Sequence, residues 1–182
     1  MWFIFNQEVF TVNFDKAFEL LISHEGGYTA NPKDAGNWTG GKQGVGVNKG
    51  TKYGIAANSY PSLDIKNLTL DQAKAIYKRD YWDKVWGDKL PASLAFHVFD
   101  MAVNSGISRS VKLLQKTAGS AQDGIMGPAT LRAAQAMDVS AAIMLYNANR
   151  LKFYTSLSTF GTFGKGWTNR VANNLELGVK EL

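Results

Sequence analysis

The composition excludes a disordered chain and a thiol-based site. Of the 182 residues, 45% are hydrophobic and 19% are charged, which is typical of one folded domain, and there is no cysteine for a disulfide or a thiolate metal site. A net charge of +5 favours a polyanionic partner such as nucleic acid, a cell-wall polymer or an anionic membrane surface.

The first twelve residues are apolar but lack the basic segment and the cleavage site of a signal peptide. We interpret residues 1–12 as an extension that packs back on the body. No run of the sequence reaches the roughly 18 apolar residues that a membrane-spanning helix needs.

A first helix is predicted from residue 14 onward. Apolar residues recur at the spacing of one helix face, namely Phe14, Ala17, Phe18, Leu21 and Ile22. Asn13 is a suitable N-cap, and Gly26 and Gly27 end the helix. At about 100° per residue, Glu25 falls on the apolar stripe. A carboxyl there is partly desolvated, which favours the protonated form that a glycosidase needs in its general acid. The alternative is a terminal Glu turned to solvent.

The segment from Gly26 to Gly54 contains nine of the 18 glycines of the chain. This density is too high for a helix and is typical of a loop that approaches a ligand closely. The alternation at 44–50 predicts a small, irregular β-hairpin.

The rest of the chain is predicted to be helical. Thr69 and Gln72 form a capping box, and the apolar segment 93–104 predicts a central helix surrounded by others. Further helices are expected at 108–118, at 128–137 with Pro128 in the first position, at 139–158, and from about residue 168. The predicted architecture is mainly α with one glycine-rich, β-containing lobe near the start.

Candidate catalytic residues lie in and beside the glycine-rich loop. Asp34 follows Glu25 by nine residues, so the loop can bring the two carboxyls together across a cleft. Two carboxyls, one protonated and one ionised, are the minimum for cleaving a glycosidic bond. The nearby aromatic side chains can stack on sugar rings (Tyr28, Trp38 and Tyr53). A turn role for the aspartate and a small apolar core for the aromatic residues are the alternatives.

These motifs resemble a known family. His-Glu-Gly-Gly-Tyr at 24–28, Asn-Pro-Lys-Asp at 31–34 and Thr-Lys-Tyr-Gly-Ile at 51–55 closely resemble the phage endolysins of glycoside hydrolase family 108. The similarity continues at 99–106 and 123–128, and at 164–171 it is to a predicted peptidoglycan-binding region. The resemblance implies a lysozyme-like, two-lobed, mostly α fold with a small hairpin lobe, N-acetylmuramidase activity and Glu25 as the catalytic acid.

A wider similarity is to the T-even phage type of lysozyme, in which a Glu, an Asp and a Thr line the cleft in that order. Glu25 and Asp34 keep the first step. Thr51 matches the third position because Tyr-Gly-Ile follows it, and Thr39 is the alternative. The glycine-rich residues 40–50 are an addition to that pattern.

The resemblance divides the chain into an extension (1–12), a muramidase segment (13–102) and a helical peptidoglycan-binding-like segment packed into the same domain (103–182). Tyr28 and Tyr53 are expected to shape the sugar sites. Asp100 and Asn104 share a helix face and are assigned to substrate binding, with backbone bonding as the alternative. Both histidines, His24 and His97, are interpreted as structural, and no metal or cofactor is predicted.

The sequence thus predicts a monomeric endolysin that hydrolyses the β-1,4 bond between N-acetylmuramic acid and N-acetylglucosamine in peptidoglycan glycan strands. Glu25 protonates the leaving oxygen, while Asp34 and Thr51 hold and activate water. A lytic transglycosylase, a chitinase and a non-catalytic wall-binding or membrane-disrupting protein are the alternatives. No nucleic-acid motif is present. The protein is expected in the host cytoplasm until a separate holin releases it, and its amphipathic C-terminal helix offers a contact with anionic membrane.

Overall fold

The computed structural model describes residues 13–22 and 27–180, and side chains of the last helix up to residue 177. Within these residues the fold is mainly helical, which confirms the predicted class. The helices are α1 (Phe14–Ile22), α2 (Leu70–Tyr77), α3 (Ala92–Ser105), α4 (Ile107–Thr117), α5 (Pro128–Gln135), α6 (Val139–Thr155) and α7 (Phe160–Lys180). The predicted extension at 1–12 lies outside the described residues.

The chain forms two compact units. One consists of Asp15–Asp80, and the other contains Phe14 and the residues from Tyr81 onward. The border between them lies near residue 80, whereas the predicted border between the muramidase and wall-binding segments lies at residue 102, inside α3. The border near residue 80 separates two compact units, whereas the border at residue 102 separates two predicted functions. The functional division therefore stays a prediction.

A β-hairpin is present, but it follows the segment for which it was predicted. Strand β1 (Thr51–Lys52) pairs antiparallel with β2 (Ile55–Ala56), in the register Thr51 with Ala56 and Lys52 with Ile55. The two-residue loop has positive φ at Tyr53 (51°) and Gly54 (73°), as a tight hairpin turn requires. Residues 44–50 form turns instead, and their one pairing is the isolated bridge of Asn48 with Trp38.

The core of the Asp15–Asp80 unit lies between α1 and α2. Ala17, Phe18 and Leu21 are buried, which confirms the apolar face predicted for α1. The Phe18 ring lies 5.7 Å from that of Tyr77, which is buried at the end of α2. Thr69 caps α2 through the predicted capping box, in which its hydroxyl accepts a hydrogen bond from the Gln72 backbone.

Helix α3 forms the core of the unit that begins at Tyr81. Residues 94–102 are all buried, because α4 and α6 pack against α3. Helix α7 packs on α6 and begins at Phe160, eight residues before the predicted start. The glycines at 161, 164 and 166 have low helix propensity, so the sequence did not predict the first two turns of α7. None of the helices in the described residues is long and apolar enough to cross a membrane.

Candidate active site

A buried asparagine, Asn37, organises the loop that carries the candidate catalytic residues. Its side chain is fully buried. The Asn37 carbonyl oxygen accepts hydrogen bonds from the backbone N–H groups of Lys49 (3.0 Å) and Gly50 (3.1 Å). Its side-chain Nδ2 donates to the carbonyl of Asn31 at 3.0 Å. Asn37 therefore ties together the two ends of the glycine-rich loop. Sequence analysis missed this residue, because a single Asn in a loop gives no periodic signal.

Asp34 lies at the start of a short 3-10 helix (Ala35–Asn37) and caps it. Its Oδ1 accepts a hydrogen bond from the backbone N–H of Gly36 at 2.8 Å. The side chain is exposed, and none of the described residues binds its Oδ2. A Cβ atom at position 36 would lie 3.2 Å from Asp34 Oδ1, so a glycine leaves room around the carboxylate. Asp34 is thus a turn residue, as the alternative reading held, and it still presents one oxygen for chemistry.

The two candidate threonines, Thr51 and Thr39, occupy different positions in the loop. The Thr51 hydroxyl donates to Asn37 Oδ1 at 2.7 Å, and the Asn37 backbone N–H in turn donates to the Asp34 carbonyl at 3.2 Å. A chain of two hydrogen bonds therefore connects Thr51 with the backbone of Asp34. Thr39 instead accepts a hydrogen bond from the backbone N–H of Val47 at 3.0 Å and braces the loop at 40–47. These contacts favour Thr51 as the site threonine.

The two tyrosines assigned to the sugar sites are both partly accessible. Tyr28 is 40% exposed, and its ring covers Gly50, where a Cβ would lie 2.7 Å from Cε2 of the ring. Gly50 has φ of 80° and also faces the carbonyl of Thr29, so both its conformation and its surroundings require glycine. Tyr53 lies in the hairpin turn with the Lys52 ammonium 5.3 Å from its ring centroid. Contact of these rings with sugar stays a prediction.

Glu25 and His24 lie outside the described residues. The structure consequently places Asp34, Thr51, Tyr28 and Tyr53 in one unit, with Glu25 assigned from the sequence alone. A separation of roughly 6.5–9.5 Å between the Glu25 and Asp34 carboxyls, which leaves room for an attacking water, stays a prediction because Glu25 lies outside the described residues.

Asp100 and Asn104 lie in the other unit, where Asp100 forms a buried ion cluster. Asp100 is 1% exposed. Its Oδ2 lies 2.6 Å from Nη2 of Arg150, and its Oδ1 lies 2.7 Å from Nη2 of Arg170. Burial raises the pKa of the Asp100 carboxyl, but the two guanidinium groups outweigh burial and hold this pKa below its usual value. Asp100 is therefore ionised and paired, and its predicted contact with substrate stays a prediction.

Asn104 is exposed at the end of α3, and its Oδ1 accepts a hydrogen bond from the Tyr154 hydroxyl at 2.8 Å. The same hydroxyl accepts a hydrogen bond from Nε of Arg150 at 2.9 Å. The Tyr154 hydroxyl therefore connects the exposed Asn104 with Arg150 of the ion cluster.

His97 is a core residue, in agreement with its structural interpretation. It is fully buried, and its Nδ1 lies 3.2 Å from Nδ2 of Asn147. Burial lowers its pKa to about 4, and the Arg150 charge adds to this effect, whereas Asp100 opposes it. His97 is neutral near pH 7. In the described part of the chain no group of three potential His, Asp or Glu ligands is close enough to hold a metal ion.

The described residues have a mainly α, lysozyme-like fold with one small hairpin lobe. The family model described as Glycosyl hydrolase 108 matches residues 18–106, which include the second half of α1, the whole glycine-rich loop and α3. The structure of Brucella abortus SagA is similar to this chain, with a TM-score of 0.76 and 37% sequence identity over 92% of this chain and 94% of that one. A comparison with the curated proteins gave no match.

The chain belongs to glycosyl hydrolase family 108. It is accordingly a glycoside hydrolase that acts on peptidoglycan, and the resemblance noted from its motifs is confirmed at this level. The matched segment contains Glu25, Asp34 and Thr51.

Proposed function

We propose that the protein is an N-acetylmuramidase that hydrolyses the β-1,4 bond between N-acetylmuramic acid and N-acetylglucosamine. The observation that carries this proposal is the arrangement of the loop. An exposed carboxylate, Asp34, is fixed by its own turn and connected through Asn37 to the Thr51 hydroxyl. This arrangement stands in the family-matched segment directly after the Glu25 motif.

The proposed mechanism needs one acid and one ionised carboxylate. Glu25 donates a proton to the glycosidic oxygen as the bond to the anomeric carbon breaks. Asp34 stabilises the positive charge that develops on the sugar ring, or accepts a proton from the attacking water. Thr51, whose hydroxyl proton is directed at Asn37, keeps its oxygen lone pairs for a water molecule. The expelled sugar leaves with a free hydroxyl, and the muramic acid gains the water oxygen.

The alternative reaction is that of a lytic transglycosylase, in which the muramic C6 hydroxyl attacks in place of water. Such an enzyme needs one acid and no activated water. Asp34 is exposed and is held in place by its own turn, which favours hydrolysis. A transglycosylase does not use water as the nucleophile and therefore has no use for a second carboxylate at this position.

Mass spectrometry of digested peptidoglycan separates these reactions. If digestion takes place in ¹⁸O-labelled water, a muramidase releases fragments with a reducing muramic end that carries one heavy oxygen. Anhydromuramic ends without label would identify a transglycosylase, and labelled reducing ends on N-acetylglucosamine would identify a different glycosidase. Binding without release of fragments would contradict any enzymatic role.

The biological setting that we propose is that of an endolysin, which a separate holin releases from the host cytoplasm to the cell wall. The described part of the C-terminal helix face packs inward, since Val171 is 1% exposed. Contact of this helix with anionic membrane therefore needs surface other than Val171. Leakage from anionic vesicles, measured with the full chain and with neutral vesicles as the control, tests that contact.

A further inference from the structure

The ion cluster around Asp100 contains one more positive charge than is needed to neutralise the buried Asp100 carboxylate. Arg150 is fully buried and pairs with the buried Asp100 carboxylate, so these two charges already balance. Arg170 adds a second guanidinium to the same carboxylate. The cluster therefore carries a net charge of +1, and Asp100 is already neutralised by Arg150 without Arg170.

The surplus charge lies at the surface. The Arg170 side chain is 31% exposed, in contrast to the Arg150 side chain at 0%. Nε and Nη2 of Arg170 both face Asp100 Oδ1, at 2.9 and 2.7 Å. A guanidinium has five N–H donors, so the edge that includes Nη1 remains available, and none of the described residues accepts from it.

The position of this guanidinium is fixed before any ligand arrives. Asp100 is held on its other side by Arg150, and α7 carries Arg170 on a helix that packs against α6. Pre-organisation of this kind reduces the entropy lost on binding. A fixed guanidinium edge matches a carboxylate, which it binds through two parallel hydrogen bonds.

The neighbouring side chains suit a saccharide polymer. Trp167 lies one turn before Arg170 on α7 and stacks on Tyr154 with ring centroids 5.1 Å apart. Tyr154 also donates to the exposed Asn104. An indole and a carboxamide beside an arginine provide a flat apolar surface and planar polar groups, the types of side chain that bind sugars and peptides.

We propose that Arg170 is a specificity residue that binds a carboxylate of the peptidoglycan chain. This proposal rests on the peptidoglycan substrate of the proposed function. Peptidoglycan carries carboxylates on its stem peptides and, where the peptide has been removed, on the lactyl group of muramic acid. Chitin oligosaccharides have the same sugar backbone and no carboxylate.

The test compares Arg170→Gln with Arg132→Gln. Arg132 is an exposed arginine on α5 and serves as the matched control for loss of one positive charge. Initial rates are measured on soluble intact strands, on strands stripped by an amidase, and on chitin oligosaccharides, with co-sedimentation on insoluble peptidoglycan as a second readout. We expect Arg170→Gln to raise KM about tenfold on a carboxylate-bearing substrate, with little change in kcat, while Arg132→Gln behaves as wild type.

The substrate series identifies the carboxylate. An effect on intact strands assigns the stem peptide, and an effect confined to stripped strands assigns the lactyl group. An equal loss on chitin oligosaccharides, or no change in KM on any substrate, would overturn the proposal. If Arg170→Gln does not fold, Arg170→Lys decides, because it keeps the charge and loses the two-pronged geometry. A several-fold rise in KM with an unchanged melting temperature supports the proposal, and an unchanged KM overturns it.

Failure of this proposal is distinct from failure of the proposed function. Wild-type enzyme that releases labelled reducing muramic ends establishes the muramidase whatever Arg170 does. If the wild type releases nothing, co-sedimentation of Arg170→Gln against Arg132→Gln still shows whether the guanidinium binds the polymer, and equal binding of the two variants overturns the proposal.

Discussion

The loop around Asp34 and the helical cluster around Asp100 hold their carboxylates in opposite ways. Asp34 is exposed and is fixed by the backbone of its own turn, two residues away. Asp100 is buried and is fixed by Arg150 and Arg170, which lie far along the chain on two other helices. The hydrogen bond to its own turn leaves one oxygen of Asp34 available to react, whereas both oxygens of Asp100 contact arginine side chains. We therefore expect changes in the loop to reduce activity, and loss of the buried Arg150 to reduce stability.

The largest effect is expected from Arg150→Met, which leaves the buried Asp100 with only its exposed partner. Loss of one member of a buried ion pair typically costs about 3–5 kcal/mol of the free energy of unfolding. Urea denaturation at pH 7 measures the change, with Arg132→Met as the exposed control, for which we expect less than about 0.5 kcal/mol. Equal changes in the two variants would show that the cluster does not stabilise its unit.

Asp34→Ala is expected to have the opposite effect to Arg150→Met, with a large loss of activity and a small loss of stability. We expect peptidoglycan hydrolysis to fall at least about 100-fold, because the second carboxyl of the proposed pair is lost. The free energy of unfolding should fall by only about 1 kcal/mol, the usual cost of a lost N-cap. Asp34→Asn separates the two roles, since the amide oxygen still caps the turn without carrying a charge. Substantial activity in Asp34→Asn would contradict the catalytic assignment.

The pH dependence of stability tests the burial of His97. Its pKa is about 4 in the folded protein, against about 6.5 in an unfolded chain. The unfolded state thus binds more protons between these values, so stability is full above pH 6.5 and is lost as the pH falls toward 4. We expect a loss of about 2 kcal/mol between pH 7.5 and 5 that is absent from His97→Gln. Identical pH profiles for the two proteins would contradict a neutral, buried His97.

A smaller effect is expected from Thr51→Val, which keeps the shape and removes the hydroxyl. Hydrolysis should fall about tenfold, because one hydrogen-bonding group for water is lost and Asn37 Oδ1 loses its donor. Thr39→Val is the matched control in the same loop and should keep near wild-type rates. The opposite ranking would identify Thr39 as the site threonine.

Sequence patterns predicted the parts of the fold that depend on near neighbours. The capping box at Thr69 and the apolar face of α1 were correct, because both follow from spacing within one helix. The ion cluster was missed, since the sequence gives no sign that α6 and α7 bring two arginines to Asp100. The hairpin was displaced because its turn depends on a left-handed Tyr53, a residue type that rarely adopts positive φ.

The candidate site was predicted in the same uneven way. Asp34 and Thr51 were assigned from their spacing and from motif similarity, with Thr39 as the alternative, and their catalytic roles stay predictions. Asn37 was not found, although its bonds connect the other two, because burial of a polar loop residue is a tertiary property. The scaffold of the loop thus became visible only in three dimensions.

The central claim is that Glu25 is the acid of a muramidase, and one pair of variants tests it most directly. Glu25→Gln keeps size and hydrogen bonding but has no acidic proton to donate. Glu19→Gln changes an exposed residue of α1 and removes the same charge six positions earlier in the sequence. The reducing muramic ends that carry heavy oxygen are counted for both variants after digestion of peptidoglycan. Circular dichroism checks that both variants are folded like the wild type. We predict no release above background for Glu25→Gln and wild-type release for Glu19→Gln. Near wild-type release by a folded Glu25→Gln variant would contradict the assignment.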